Sequence, residues 1–378
     1  MGQKDGKKWT AAVDLQPTIL LPRRLLGADN AAMNRNIVYA LLAAALFGAS
    51  TPFAKLLTAE ASPVLLGGLL YLASGLGLTV ARLVRDRGWA PAGLARSEWP
   101  WLLGATFFGG ILGPVALLFG LTQTSASAAS LLLNLEAVLT AVIAWVVFRE
   151  NADRRIVLGM LAIVAGGVVL AWPSGTLEAS SWAGPLGIAA ACLCWAIDNN
   201  LTRKVAASDA LFIAGSKGLV AGAFNTSRAL WLGATLPAPL TLLSTAAVGL
   251  LGYGLSLVLF VLALRGLGSA RTGAYFSTAP FIGAALALSL LGEAATPAFW
   301  LAGGLMALGV WLHLTERHDH LHTHEPLAHA HRHSHDAHHQ HEHDPDWDGL
   351  APHTHWHSHA PVTHQHPHFP DIHHRHPH

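Results

Sequence analysis

Charged side chains are scarce in this chain of 378 residues, where they make up 12% of the sequence against 52% for hydrophobic residues. An ordinary soluble domain carries about 25% charged residues. The deficit argues against a soluble globular protein and indicates lipid as the solvent. The formal net charge is only +1, and the lysines and arginines form no cluster that would follow a phosphate backbone, so we expect no nucleic-acid partner.

Cysteine is also nearly absent, since only Cys192 and Cys194 occur, two positions apart in an apolar segment. This excludes a disulfide framework and argues against a zinc site built on cysteine. A nucleophile paired with a base and a glycine loop that would hold phosphate are missing too. We therefore expect no enzyme and no required cofactor.

The first 36 residues are polar and mixed in character. They do not resemble a cleavable signal peptide, because their basic start lacks an adjoining apolar core and a small-residue cleavage site. Met33 directly precedes Asn34-Arg35-Asn36 and the first long apolar run, which makes it an alternative start of the chain. We expect residues 1–36 to be a cytosolic extension without an assigned function.

Ten apolar runs follow, each close to the roughly 20 residues that a helix needs to cross a bilayer. The first five lie at 37–57, 63–83, 101–121, 126–147 and 156–172, and the second five at 184–203, 210–233, 242–263, 271–291 and 297–315. A polar break at 173–183 separates the two sets. The sequence therefore predicts an all-α integral membrane protein with ten transmembrane helices.

Basic residues mark alternate loops of this arrangement. They include Arg82, Arg85, Arg87 and Arg96 after the second run, Arg149, Arg154 and Arg155 after the fourth, Arg203 and Lys204 after the sixth, and Arg265 and Arg271 after the eighth. The intervening loops contain no lysine or arginine. Because cytoplasmic loops retain positive charge, we expect a multi-pass protein of the cell (inner) membrane with both termini in the cytoplasm.

One segment of the first half can be placed over one segment of the second half, at a constant offset along the chain. This offset places Ser127 on Ala270 and Glu150 on Glu293 without a gap. An odd number of spans per unit inverts the second copy in the membrane, a plan that recurs in secondary transporters. We therefore predict two inverted five-helix repeats, 37–172 and 184–316.

Several segments resemble the EamA-type branch of the drug/metabolite transporter superfamily. They are TSASAASLLLNLE at 124–136, FRE at 148–150, CWA at 194–196, NLTRK at 200–204 and GAYFSTAPF at 273–281. The resemblance implies a ten-helix carrier of small molecules that works by alternating access. Ala137 departs from the family, in which proline often follows the glutamate, and this predicts a straighter fourth helix.

Few ionisable residues lie inside the predicted spans, and each is a functional candidate because a charge in lipid is costly. Glu136 lies midway along the fourth run beside Asn134, where it can take a proton or pair with a cation on another helix. Either behaviour suits a coupling site. A structural hydrogen-bonding role in a helix interface is the alternative.

Asp198 and Lys217 lie at similar predicted depths in the sixth and seventh runs, so an ion pair would satisfy both charges. The pair would either shape a transport cavity or serve a structural role. Asn199 could extend a polar lining between the two helices. Trp195 and Tyr275 are candidates to line an amphipathic pocket.

All 24 histidines occur from His313 onward, and 23 of them lie at 318–378. The spacing is mainly alternate, and the metal-binding candidates are His318, His320, His322, His324, His329, His331, His333, His335, His353, His355, His357 and His359. Imidazole binds zinc, nickel, cobalt and copper. We expect residues 317–378 to form a disordered cytosolic tail that binds such ions.

Three functions remain open at this point. The first is a secondary transporter, in the direction of export, of a small organic metabolite, coupled to protons through Glu136. The second is an exporter of divalent nickel, zinc or cobalt fed by the tail, and the third is a membrane-anchored metal sensor or buffer. The sequence leaves monomer and homodimer open.

Overall fold

The computed structural model describes residues 23–148, 154–172, 182–202, 204–205 and 208–315, and tail segments 319–323, 327–333, 353–359 and 363–367. Within the described part of 23–315 all regular structure is helical. The α-helices are α1 (Arg23–Leu57), α2 (Pro63–Asp86), α3 (Trp99–Ala105), α4 (Gly113–Gln123), α5 (Ala126–Leu132), α6 (Leu135–Phe148), α7 (Arg154–Ala171), α8 (Ala183–Thr202), α9 (Ala210–Trp231), α10 (Pro239–Val248), α11 (Ser256–Phe276), α12 (Ala279–Leu290) and α13 (Pro297–Leu314). A 3-10 turn at Arg96–Glu98 precedes α3.

Seven helices of the described residues are long and apolar enough to cross a membrane. They are Asn34–Leu57, Pro63–Asp86, Arg96–Gln123, Ala126–Val147, Arg154–Ala171, Pro239–Ala263 and Pro297–Leu314. These coincide with the predicted spans one to five, eight and ten. Their outward faces carry large exposed apolar side chains such as Val84 and Leu240, as expected of a surface in contact with lipid.

The other three predicted spans fall on α8, α9 and α12. Helix α12 is short, with 12 residues, while α8 and α9 have 20 and 22 residues. Asp198, Asn199 and Asn200 lower the hydropathy of α8, and Lys217 and Arg228 lower that of α9. Length and composition therefore support seven of the ten predicted spans and leave these three without such support.

Two π-helical segments interrupt the third and eighth predicted spans. Segment π1 (Thr106–Leu112) joins α3 to α4, and π2 (Gly249–Leu255) joins α10 to α11. Such segments are rare and are often found at functional sites. The two segments are separated along the chain by the same number of residues as Ser127 and Ala270, which is the offset of the predicted duplication. Helices α7 and α13 are separated by this offset at both their first and their last residues.

The fourth predicted span is broken between α5 and α6, so the straight helix expected from Ala137 is wrong. Leu133 and Asn134 form a turn in which the Asn134 backbone N–H donates to the Leu131 carbonyl at 3.0 Å. The Asn134 side-chain amide donates to the same carbonyl at 2.9 Å. A side chain that bonds its own backbone competes with the helix, so the break does not need a proline.

The predicted loop at 264–270 is also wrong, because α11 continues through it without interruption. The ninth predicted span is instead broken later, between α11 and α12, where Ser277 and Thr278 form a turn. The hydroxyl of Thr278 donates to the Tyr275 carbonyl at 2.6 Å. Along the chain, this break follows the Leu133–Asn134 turn by nearly the same number of residues as π2 follows π1.

Small residues let helices of the two halves approach closely. Helix α2 packs along α9, where a Cβ on Gly218 would lie 2.7 Å from the Cα of Gly75. Helix α7 packs along α13, where a Cβ on Gly309 would lie 2.6 Å from the Gly159 carbonyl oxygen. Such close backbone contacts replace the hydrophobic driving force that is missing between helices in lipid.

Helix α1 begins at Arg23 and so extends into the predicted N-terminal extension. The segment 23–33 contains leucine, arginine and alanine, which favour a helix. Residues 1–22 lie outside the described part of the chain.

The described segments of the tail form four short strands, and disorder of the tail stays a prediction. They are β1 (Asp319–Thr323), β2 (Leu327–His333), β3 (His353–His359) and β4 (Thr363–Pro367). Strand β1 pairs antiparallel with β4, and β2 with β3. Histidine alternates with other residues along these strands, and this period of two suits a strand. Amino-acid composition alone does not reveal such a pattern.

Candidate functional site

A buried ion pair joins α8 to α9. The Lys217 ammonium lies 2.5 Å from Oδ1 and 2.7 Å from Oδ2 of Asp198, and the two side chains are 16% and 11% exposed. The hydroxyl of Thr202, one turn along α8, donates to Oδ1 at 2.8 Å. The predicted pair is therefore confirmed, and its two charges neutralise each other.

Glu136 lies in the first turn of α6, directly after the break in the fourth span. Its carboxylate accepts a hydrogen bond from the Asn199 side-chain amide at 2.9 Å. No lysine or arginine in the described part of the chain pairs with it, and its side chain is only half-buried. Glu136 is thus a carboxyl group to which the described residues supply a hydrogen bond but no cation.

The polar neighbours of Glu136 come from one face of α8 and from α6 itself. Asn199 also donates weakly to the Thr140 hydroxyl at 3.4 Å. Asn200 is buried and donates to the carbonyls of Ala196 and Thr140. Successive residues of a helix point in different directions. Within the Asp-Asn-Asn sequence of α8, Asp198 therefore binds Lys217 on α9, whereas Asn199 and Asn200 donate to groups of α6.

Asn134 belongs to the break and not to this polar cluster. It is 4% exposed, and its amide donates to the Leu131 carbonyl and lies 3.9 Å from the Met306 sulfur. No hydrogen bond links it to Glu136 in the described residues. Its role is to satisfy the backbone where α5 ends, which positions the start of α6.

Segment π1 brings a third helix to the ion pair. The indole N–H of Trp195 and the hydroxyl of Tyr71 both donate to the Gly109 carbonyl, at 3.0 and 2.9 Å. A Cβ on Gly109 would overlap the Asp198 carboxylate. Glycine is required here because π1 passes so close to α8.

Tyr71 was not among the residues that the sequence singled out. It lies within electrostatic reach of Asp198 and Glu136, and its hydroxyl shares the Gly109 carbonyl with Trp195. A tyrosine in the middle of a predicted span indicates a polar site nearby, because a buried tyrosine hydroxyl needs a hydrogen-bond partner.

A row of aromatic rings extends from Tyr71 away from the charges. The Tyr71 and Tyr253 ring centroids are 5.6 Å apart, Tyr253 and Phe47 are 6.1 Å apart, and Phe47 and Phe276 are 5.4 Å apart. These rings come from α1, α2, π2 and α11. Tyr275, the residue predicted here, has no ring contact with this row in the described residues, and its neighbour Phe276 takes that place.

The predicted metal residues fall into two groups. His318, His324 and His335 lie outside the described residues, whereas the other nine lie on β1, β2 and β3. In the described part of the chain no group of three or more histidine, cysteine, aspartate or glutamate side chains is close enough to hold a metal ion. His313, which lies in the last turn of α13, contacts the Ile156 carbonyl at 3.0 Å.

Two known proteins that are similar to this chain have names that describe a transporter and a flippase subunit. An uncharacterized transporter of Methanothermobacter thermautotrophicus is 28% identical over 281 residues, which cover 70% of this chain and 82% of that protein. A protein of Pseudomonas paraeruginosa named probable 4-amino-4-deoxy-L-arabinose-phosphoundecaprenol flippase subunit ArnE is 39% identical over 107 residues, 28% of this chain and 89% of that one.

A solved structure described only as the crystal structure of a protein shares the fold. It is 20% identical, has a TM-score of 0.55, and the match covers 75% of this chain and 95% of the other. The model of the EamA-like transporter family matches this chain twice, over residues 34–172 and 182–315. The chain therefore belongs to the EamA-like transporter family and is a multi-pass membrane transporter.

Proposed function

We propose that the protein is a proton-coupled secondary transporter that exports a small organic solute by alternating access, with Glu136 as the coupling carboxylate. The observation that carries the proposal is the environment of Glu136. It is half-buried within the membrane-spanning body, hydrogen-bonded by Asn199 and without a cation partner in the described residues. A proton or a cationic group of the solute is then the species that neutralises it.

The adjoining Asp198–Lys217 pair adds no net charge to the site. An empty site with Glu136 ionised therefore carries one negative charge, and it becomes neutral when Glu136 takes a proton. Solute and proton can then use the carboxylate in turn. The aromatic row from Tyr71 to Phe276 offers apolar ring faces for the rest of the solute.

Ten helices in two inverted repeats, 37–172 and 184–316, are part of the proposal. It is supported by the π segments and the pair α7 and α13, which recur at the offset that places Ser127 on Ala270, and by the two consecutive family matches. Inverted repeats place the substrate near the membrane midplane between the halves. Glu136, Asp198 and Lys217 are drawn from both halves, as such a site requires.

Cytoplasmic termini complete the arrangement, and they are supported by the alternation of basic loops in the sequence. Export then means that a proton moves inward through Glu136 while the solute moves outward. The relative named as a flippase subunit for an amino-sugar lipid makes amines a sensible first class of solute to test.

The test uses purified protein in liposomes that contain a pH-sensitive dye, with a panel of amines, amino acids and sugars. A solute that drives proton flux through the intact chain should drive at least about tenfold less through Glu136→Gln, because the amide cannot carry a proton. Glu136→Asp should keep part of the flux. Glu60→Gln, which alters an exposed loop carboxylate, is the matched control, and full flux through Glu136→Gln would remove the mechanism.

A second candidate function is handling of zinc, nickel, cobalt or copper through the tail. It is supported by the strand register, which places histidine directly opposite histidine at five positions. The pairs are His320 with His366, His322 with His364, His329 with His357, His331 with His355 and His333 with His353. Directly opposed positions have Cβ atoms about 4.5–5.5 Å apart, a separation at which two imidazoles can share one ion.

A further inference from the structure

The contact between α2 and α9 joins two residues that correspond to each other in the two halves. At the offset that places Ser127 on Ala270, Gly75 corresponds to Gly218. A Cβ on Gly75 would lie 2.5 Å from the Gly218 carbonyl carbon, and a Cβ on Gly218 would lie 2.7 Å from the Gly75 Cα. In a two-fold arrangement, corresponding residues meet each other only close to the axis. This contact therefore marks the place where an axis relating the two repeats would pass.

The contacts on either side of these two glycines form an exchanged pair. A Cβ on Gly222 would lie 2.8 Å from the Leu72 Cβ, and a Cβ on Gly215 would lie 3.6 Å from the Thr79 backbone nitrogen. At the same offset Leu72 corresponds to Gly215, and Thr79 corresponds to Gly222. Exchange of the two halves thus turns one contact into the other. The α2–α9 interface is in this sense its own counterpart.

The interface between α7 and α13 has the same property. A Cβ on Gly159 would lie 2.8 Å from the Gly309 carbonyl oxygen, and a Cβ on Gly166 would lie 2.9 Å from the Ala302 carbonyl oxygen. Gly159 corresponds to Ala302 at the same offset, and Gly166 corresponds to Gly309. Exchange of the two halves again leaves this set of contacts as it is.

The contact between α5 and α12 behaves differently, because its counterpart is missing. A Cβ on Gly283 would lie 3.2 Å from the Ser130 Cβ. Gly283 corresponds to Thr140 on α6, and Ser130 corresponds to Gly273 on α11. A Cβ on Gly273 would meet no atom of the described residues within 4 Å. The two halves are therefore packed differently at this contact, although they are packed alike at the α2–α9 and α7–α13 interfaces.

Inverted repeats can turn a carrier to face the other side of the membrane by exchanging their conformations. A contact that is its own counterpart survives this exchange, whereas a contact without a counterpart does not. We infer that the α2–α9 and α7–α13 interfaces stay fixed throughout the transport cycle and that the α5–α12 contact breaks in the opposite state. Because Lys217 directly precedes Gly218, the fixed α2–α9 interface also holds the cation of the Asp198–Lys217 pair in place.

This inference rests on alternating access by inverted repeats, which is part of the proposed function, but it does not need a proton or a known solute. The test is disulfide locking of the full chain. Cys192 and Cys194 are replaced by alanine, and Thr140→Cys supplies a half-buried reporter beside Asn199. A membrane-impermeant thiol reagent labels the reporter in intact cells and in inside-out vesicles, before and after oxidation, and mass spectrometry identifies the disulfide.

Two cysteine pairs lock the interfaces that we infer to be fixed. In Thr79→Cys with Gly215→Cys, the sulfur at position 79 replaces a hydroxyl oxygen that lies 3.3 Å from the Cβ position of residue 215, which suits a disulfide. In Gly166→Cys with Met306→Cys, the corresponding separation from the Met306 Cγ is 2.9 Å. Oxidation of either pair should leave the labelling rate from each side within about twofold of the reduced form, because the locked contact exists in both states.

A third pair locks the contact that we infer to break. In Ser130→Cys with Gly283→Cys, the replaced hydroxyl oxygen lies 2.8 Å from the Cβ position of residue 283. Oxidation should lower the labelling rate from one side by at least about tenfold, because one of the two states is no longer reached. Reduction should restore that rate. Gly283→Cys alone, treated with the same oxidant, is the matched control and should label from both sides.

A comparable loss of labelling after oxidation of either of the first two pairs would overturn the fixed role of that interface. Unchanged rates after oxidation of the Ser130 and Gly283 pair would overturn the breaking of the α5–α12 contact. A reporter that is labelled from one side only in every reduced variant would count against alternating access itself, and the inference would fall with it. Failure of proton coupling is read separately, in the flux through Glu136→Gln.

Discussion

Single charges in the membrane body differ in how they are neutralised, and this difference decides their roles. Asp198 and Lys217 bind each other through both carboxylate oxygens, whereas the Glu136 carboxylate receives, from the described residues, an amide hydrogen bond and no ion pair. A closed pair is fixed, but an unpaired carboxylate can change its protonation state with little rearrangement. The proposed coupling role therefore falls to Glu136.

Removing one partner of the Asp198–Lys217 pair should be worse than removing both. Asp198→Asn leaves the Lys217 charge buried without a carboxylate, which costs about 3–5 kcal/mol of the free energy of unfolding. The double variant Asp198→Asn with Lys217→Met removes that charge and should regain most of the loss. The measurement is the midpoint of thermal unfolding in detergent, with Glu60→Gln as a control, and a double variant no better than Asp198→Asn alone would contradict the argument.

The sequence predicted the residues of this site unevenly. Equal depth in two neighbouring spans was enough to pair Asp198 with Lys217. Asn134 was assigned to the site from its nearness to Glu136 in sequence, but its amide instead satisfies the backbone at a helix break. Tyr71 was missed because its role depends on π1, whose local geometry no hydrophobic pattern reveals.

At the scale of helices, the interface between α2 and α9 depends on residues that lack a side chain. Gly218 meets Gly75 where the two backbones lie in close contact. Glycine normally weakens a helix by roughly 1 kcal/mol relative to alanine, so its presence here is explained by the close contact.

A methyl group at this contact should therefore separate the two helices. Gly218→Ala places a Cβ 2.7 Å from backbone atoms of Gly75, and such overpacking typically costs about 1–3 kcal/mol. Gly304→Ala on α13 is the matched control, because a Cβ there meets nothing within 4 Å. Thermal unfolding in detergent should show a lowered midpoint for Gly218→Ala and an equal or higher one for Gly304→Ala, and the reverse order would contradict this account of the interface.

Helix boundaries were predicted well where lipid contact determines them and poorly where polar contacts do. Runs of apolar residues located the seven candidate spans. The same runs gave no warning of the break at Leu133, of the two π segments or of the continuous helix through 264–270. Those features depend on hydrogen bonds of individual backbone and side-chain groups, which average hydropathy does not resolve.

At the scale of the whole molecule, the membrane body and the histidine-rich tail are separable in sequence, and this gives the metal hypothesis a direct test. Deletion of residues 318–378 should lower the tolerance of cells to nickel, zinc and cobalt by several-fold if the tail feeds or regulates metal export. A variant with those histidines changed to asparagine keeps the length and serves as the matched control. Unchanged tolerance to all three ions in both variants would count against the metal function.

If the tail acts only as an anchored sensor or buffer, another membrane anchor in place of residues 34–315 should preserve tolerance. If it feeds an exporter, that replacement should abolish tolerance as fully as deletion of the tail does. The two metal hypotheses therefore differ in what the helical body must contribute.

The charged helices α8 and α9 also have a consequence for how the chain is made. An aspartate or a lysine at the centre of a helix raises the apparent cost of membrane insertion by about 2.5–3.5 kcal/mol, and neither helix reaches the hydropathy of the seven candidate spans. As a hydrogen-bonded pair, Asp198 and Lys217 present one neutral unit to the bilayer. If α8 and α9 cross the membrane, as the proposed ten-helix arrangement has it, we expect the insertion machinery to release them together, as one hairpin.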